Sequence, residues 1–126
     1  MRWIVDAMNV IGARPDGWWR DRDAAIAKLV KELEEFAAAT GDDVTIVLER
    51  PPRPPLRSTL IEIAHAPKPG PDAADFEITR IVEGDPNPGD ICVATSDRWL
   101  SDRASAAGAA VEGAATFRRR LEERAG

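Results

Sequence analysis

The chain has 126 residues, 44% of them apolar and 31% charged, with a net charge of −5. That length suits one domain, residues 1–126, with a real core and no room for a second. No stretch reaches the roughly 18–20 apolar residues of a membrane helix. The opening residues lack a basic segment followed by a long apolar run. One cysteine offers neither a disulfide nor a thiolate metal site, so the expected setting is the cytoplasm, away from membranes. The negative balance speaks against a broad phosphate-binding surface, although acids gathered to hold a divalent cation would contribute to the same sign.

Trp3-Ile4-Val5-Asp6 reads as a first strand that runs into Ala7-Met8-Asn9. Gly12 to Gly17 is a loop by its Pro-Asp-Gly content, with Trp18 and Trp19 expected to pack over the sheet edge or to stack on bases. Asp21 to Asp23 opens a helix with acids where the helix dipole favours them. Ile26, Leu29, Val30, Leu33, Phe36 and Ala37 form its apolar stripe, and Gly41 ends it. Val44 to Leu48 is a second strand, followed by Glu49 and a stiff proline-rich connector, Arg50 to Pro55. Thr59 to Ala64 reads as a third strand ending near His65, a lone histidine with an expected structural or surface role. Asp72 to Val82 is helical, with Ala74, Ile78, Ile81 and Val82 inward. Asp72 and Asp75, three apart, are expected on one face at its start. Ile91 to Ala94 is a continuous apolar strand containing Cys92, and it stops abruptly at Thr95-Ser96-Asp97. A helix from Arg98 to Ala107, a short strand at Ala109 to Val111 and a final helix from Ala114 to Arg124 complete the chain. In that last helix Arg118 to Arg120 reads as a solvated face.

Alternation on this scale predicts a parallel α/β sheet with helices on both faces. Ligands of such sheets bind beyond the carboxyl ends of the strands, where this topology delivers Asp6, Glu49, Asp75 and Asp97. Each acid alone is explained as a turn former or a helix cap. Together they repel one another, and a divalent cation relieves that repulsion. Thr95 and Ser96 either cap the helix that follows or touch substrate. Asp102 lies roughly 140° around that helix from Asp97 and joins the group only if the segment opens with a turn.

Three motifs in series carry a resemblance: Ile4-Val5-Asp6-Ala7-Met8-Asn9, Ala74-Asp75-Phe76-Glu77-Ile78 and Val93-Ala94-Thr95-Ser96-Asp97-Arg98. Their order and spacing resemble the NYN domain, the YacP-like branch of the PIN-like nucleases. The resemblance implies a single PIN-like domain, a three-layer α/β/α sandwich with a mostly parallel sheet in the order 3-2-1-4-5. It also implies a ribonuclease dependent on Mg²⁺ or Mn²⁺, with Asp6, Asp75 and Asp97 as catalytic metal ligands. Asn9 would orient Asp6 or contact substrate, and Ser96 would support the Asp97 turn; Glu49, Asp72 and Asp102 join as supporting acids from their own placement in the sequence rather than from the resemblance. RNA is the implied partner, with a ribosome or another RNA assembly supplying additional grip; the oligomeric state is left open. Ala7 stands where the family usually has glycine.

The competing reading is a catalytically silent PIN-like module that binds RNA or a protein. An aspartyl phosphatase would need a second Asp two residues after the first, and position 8 is Met.

Overall fold

The apolar runs pair into one parallel sheet because each is apolar on both of its faces. The computed structural model describes residues 1–125; Gly126, the last residue of the expected domain, lies outside them. The strands are β1 (Arg2–Asp6), β2 (Asp43–Leu48), β3 (Glu62–His65), β4 (Ile91–Ala94) and β5 (Ala110–Glu112). All neighbours are parallel, in the order β3-β2-β1-β4-β5, as the resemblance implies.

Side chains alternate across this sheet and feed two separate cores. Trp3 and Val5 of β1, Val44, Ile46 and Leu48 of β2, and Cys92 and Ala94 of β4 face one side. There they meet α1 (Ala7–Gly12), α2 (Arg22–Thr40) and α5 (Ala114–Ala125). Ile4, Val47, Ile91 and Val93 face the other side, under α3 (Ala73–Gly84) and α4 (Arg98–Ala106). The first core centres on an aromatic group in which Phe117 stands 5.0 Å from Trp3 and 5.7 Å from Phe36, ring centre to ring centre. Among the described residues no helix is long and apolar enough to cross a membrane.

The helix signals hold where their chemistry is local. Asp21 caps α2 by accepting from the Ala24 amide at 3.0 Å. Gly41 closes it in a left-handed conformation, φ 75°, with its amide on the Ala37 carbonyl at 2.9 Å.

Three expectations are corrected. A six-residue helix, α1, follows β1 directly; it is too short to show a period, although Ala7, Val10 and Ile11 bury one face of it. Ala7 is its first residue, so the backbone after Asp6 is helical and asks for no glycine. The third strand begins at Glu62 rather than Thr59, because Ser58 Oγ accepts from the Leu60 and Ile61 amides at 3.1 and 3.2 Å. That local turn satisfies backbone groups the ladder would otherwise take. Arg118 is not on a solvated face. It is 6% exposed, adjacent to the buried Phe117 on α5, and lies 3.4 Å from Glu32 of α2. Burial lowers its basicity, and the neighbouring Glu32 charge opposes that effect. Arg120 remains outside, bound to Glu112 by two 2.7 Å hydrogen bonds.

Replacing Phe117 by Ala empties the centre of the first core, and such truncations cost about 3–5 kcal/mol. Urea denaturation should show a lower midpoint at an unchanged slope, the mark of lost packing rather than an altered unfolded state.

Candidate active site: carboxylates at the carboxyl edge of the sheet

β1 and β4 run in register with Val5 opposite Ala94, so the next residues, Asp6 and Thr95, emerge side by side. Continuing the alternation from Ile4 and Val93 points both toward the α3–α4 layer. Asp6 is 5% exposed and Thr95 1%. A carboxylate and a hydroxyl that deep require partners, and each meets the other: Thr95 Oγ1 donates to Asp6 Oδ2 at 2.8 Å. The same oxygen accepts from the Asp97 amide at 3.1 Å, while the Thr95 amide donates to the Glu112 carbonyl at 2.9 Å. Thr95 thus ties β1 to β5 and to the start of α4. This role is neither of the two the sequence offered for it. Its signal was a hydroxyl at an inward strand position, immediately before the acidic turn.

Asp97 caps α4, its Oδ1 accepting from the Leu100 amide at 2.8 Å. Asp75 sits half-buried in the first turn of α3. Glu49, also half-buried, follows β2. These acids are electrostatically coupled. Burial, and then the charges of Asp97 and Glu49, push Asp6 up to about 6, against the favourable Thr95 hydrogen bond. Burial, then Asp6, Asp97, Asp72 and Glu49, push Asp75 up to about 7. The rim therefore holds more negative charge than its surroundings stabilise.

The remaining predicted residues divide. Asp72 does not share a helical face with Asp75; it precedes α3 in a left-handed conformation, φ 60°, and is exposed, while its charge still reaches Asp75. Asn9 meets Asp6 through its backbone amide, which favours the Asp6 carboxylate, while its side-chain Oδ1 accepts from the Ser96 amide at 2.7 Å. Ser96 in turn accepts from the Ala114 amide at 2.8 Å, so it anchors the start of α5 as well as belonging to the Asp97 turn. Asp102 is exposed on α4 and contributes to neither the Asp6 nor the Asp75 shift, because α4 is helical from Arg98 and turns it away. His65 lies exposed at the end of β3, its Nδ1 3.0 Å from the Ala66 carbonyl oxygen. Trp18 packs against the first core, whereas Trp19 stays 56% exposed. A small groove of about 70 Å³ opens beside Glu49, with Arg22 and Arg50 among its walls.

Among the described residues, no three carboxylate, histidine or cysteine groups form a ready-made metal cage. A hydrated Mg²⁺ ion takes only one or two carboxylates directly and leaves its other positions to water and phosphate. An open set of hard oxygen donors, crowded enough to raise its own pKa values, fits such a cation in its chemistry.

Because Asp6 and Asp75 keep their protons in the folded state above the unfolded value of 3.8, folding binds protons between about pH 4 and pH 7. The stability these groups contribute is complete below pH 4 and is lost as pH rises through 6 to 7. Without metal, Asp75→Asn should therefore melt roughly 2–6 °C above wild type at pH 8 and level with it near pH 4, read by calorimetry in EDTA. Thr95→Val removes the Asp6 donor and the Asp97 amide acceptor together, and should cost about 1–3 kcal/mol in urea denaturation. Thr95→Ser should retain most of that stability.

The same fold occurs in the crystal structure of Rae1 (YacP) from Bacillus subtilis, with a TM-score of 0.80 at 22% identity, over 99% of this chain and 75% of that one. Its W164L mutant gives a TM-score of 0.79 at 22% identity, over 99% of this chain and 76% of that one. No match is found among curated proteins. The model of the YacP-like NYN domain family matches residues 3–125, nearly the whole chain and all of the acidic rim. This protein belongs to the YacP-like NYN domain family.

Proposed function

We propose that this chain is a Mg²⁺- or Mn²⁺-dependent endoribonuclease that hydrolyses phosphodiester bonds at the carboxyl edge of its sheet. The observation that carries the reading is the convergence of Asp6, Asp75 and Asp97 from three separate elements, with two of them pre-oriented by the protein. Thr95 holds Oδ2 of Asp6 and the Leu100 amide holds Oδ1 of Asp97, and each carboxylate keeps lone pairs that a cation could use. Asp75, pushed up to about 7, joins the set from the first turn of α3 and can also carry a proton near neutrality. A bound cation would lower the pKa of water and offset the charge that builds on the phosphate oxygens.

Within that setting the residues of the chain position and orient. The Asn9–Ser96 and Ser96–Ala114 hydrogen bonds hold the Asp97 turn against α1 and α5. Asp6 is immobilised between β2 and β4. Arg22 and Arg50, in the groove beside Glu49, are placed to meet flanking phosphates. Hydrolysis forms a bond from water oxygen to phosphorus and breaks the bond from phosphorus to O3′. The departing oxygen leaves protonated, giving a 5′-phosphate and a 3′-hydroxyl. A ribosome or another RNA assembly would supply the grip that a chain of net charge −5 lacks. A silent binding module would have no use for carboxylates that destabilise one another.

End-labelled single-stranded and structured RNAs, incubated with Mg²⁺, Mn²⁺ or EDTA, test this directly. Cutting is expected only with metal. Asp6→Asn, Asp75→Asn and Asp97→Asn should each lower its rate by at least about 100-fold, as losing a group that stabilises transition-state charge does. Equal cutting by wild type and all three variants, or none by wild type on any RNA, would remove the assignment.

A further inference from the structure

Phe76 and Trp99 are 60% and 42% exposed, and both belong to the acidic rim. Phe76 follows Asp75 in the first turn of α3; Trp99 lies two residues past Asp97 in the first turn of α4. Their rings meet edge to face, with centroids 5.3 Å apart and planes at 78°. The Arg103 guanidinium stands 5.2 Å from the Trp99 ring centre and is held there by Glu83 at 3.1 Å. The core does not account for this pair. Ile78 and Leu100 fill the inward positions of the same two helices and are 0% exposed, so the aromatic residues occupy outer positions that a polar residue would fill at less cost.

An edge-to-face pair leaves ring surface open to a third flat partner. Two side chains offer far less area than the roughly 800 Å² per partner of a stable protein interface, but enough for one nucleobase. The position argues for the same occupant. Phe76 is next to Asp75 and Trp99 two residues past Asp97, so a strand with its phosphate at those acids would bring an adjacent base toward the rings, beside the positive charge of Arg103. Bases within a duplex already have both faces covered, so the surface selects unpaired ones.

We propose that Phe76 and Trp99 form a stacking platform for an unpaired RNA base next to the phosphate that is cut. This assignment rests on the nuclease reading above for its ligand, and on the exposed ring pair for its place.

The test is fluorescence anisotropy of a 5′-fluorescein-labelled single-stranded RNA of about 12 nucleotides, within the span typical of such sites, with EDTA present so that no strand is cut. Phe76→Leu and Trp99→Leu should each weaken binding by roughly 5- to 100-fold, the range of one lost base–aromatic stack. Phe76→Tyr and Trp99→Phe should remain within about twofold of wild type, because stacking needs an aromatic face of either kind. Where a leucine variant fails to fold by circular dichroism, single abasic substitutions along the RNA probe wild type instead; a loss at one position supports the platform and uniform binding overturns it. Unchanged affinity in folded leucine variants overturns the platform and leaves the nuclease standing. Aromatic-dependent binding by a protein that cuts nothing with Mg²⁺ or Mn²⁺ does the reverse. Absence of any single-strand binding by wild type overturns the platform outright.

Discussion

The hydrogen bond from Thr95 Oγ1 to Asp6 Oδ2 joins residues 89 positions apart in the chain, and the acidic rim is arranged around it. It exists because β1 and β4 are parallel and in register up to Val5 and Ala94. A one-residue slip of either strand would turn its own side chain to the opposite face and leave the other without a partner. With the pair in place, the same hydroxyl receives the Asp97 amide, so one threonine links the carboxylate that ends β1 to the residue that caps α4. Asn9 and Ser96 extend that bracing to α1 and α5. The Thr95–Asp6 bond is buried and has a carboxylate acceptor, the class worth most and costliest to break, and the others satisfy backbone amides.

The bracing is needed because the rim works against itself. Burial and like charges lift Asp6 to about 6 and Asp75 to about 7, and an isolated cluster of this kind would splay apart or stay protonated. Its acids are carried instead by elements that cannot easily move. Asp6 ends the central strand, whose neighbours β2 and β4 lie on either side, and Asp75 and Asp97 open helices packed on the second core. Stability stored in two apolar layers thereby maintains a local arrangement that is unfavourable without a counter-charge, a common relation between scaffold and functional site.

The two faces of the sheet divide the labour. The side covered by α1, α2 and α5 contains the large aromatic cluster and the buried Arg118–Glu32 pair. The thinner layer of α3 and α4 brings its helix starts, with Asp75, Phe76, Asp97 and Trp99, to the open edge. Acids and exposed aromatic rings therefore reach the rim on the same two helical turns.

The sequence by itself determined the layered α/β architecture, since both-sided apolar runs alternating with helical stripes have few other ways to be buried. It also located Asp6 and Asp97, because an acid at the end of an apolar run is a local signal, and Asp75, by its place at the opening of an amphipathic helix. Their company was decided only in three dimensions. Asp72 stands ahead of its expected helix in a left-handed conformation of its own, Asp102 was turned away by a helix beginning at Arg98, and Asn9 serves Asp6 through its backbone amide while its side chain takes the Ser96 amide. Thr95 and the Phe76–Trp99 pair show the same limit. Their roles depend on register between β1 and β4 and on the packing of α3 against α4, long-range relations for which no run of neighbouring residues carries a pattern. Arg118, a charge in a charged run, was drawn inward because the buried Phe117 beside it fixed the face of α5 that meets α2.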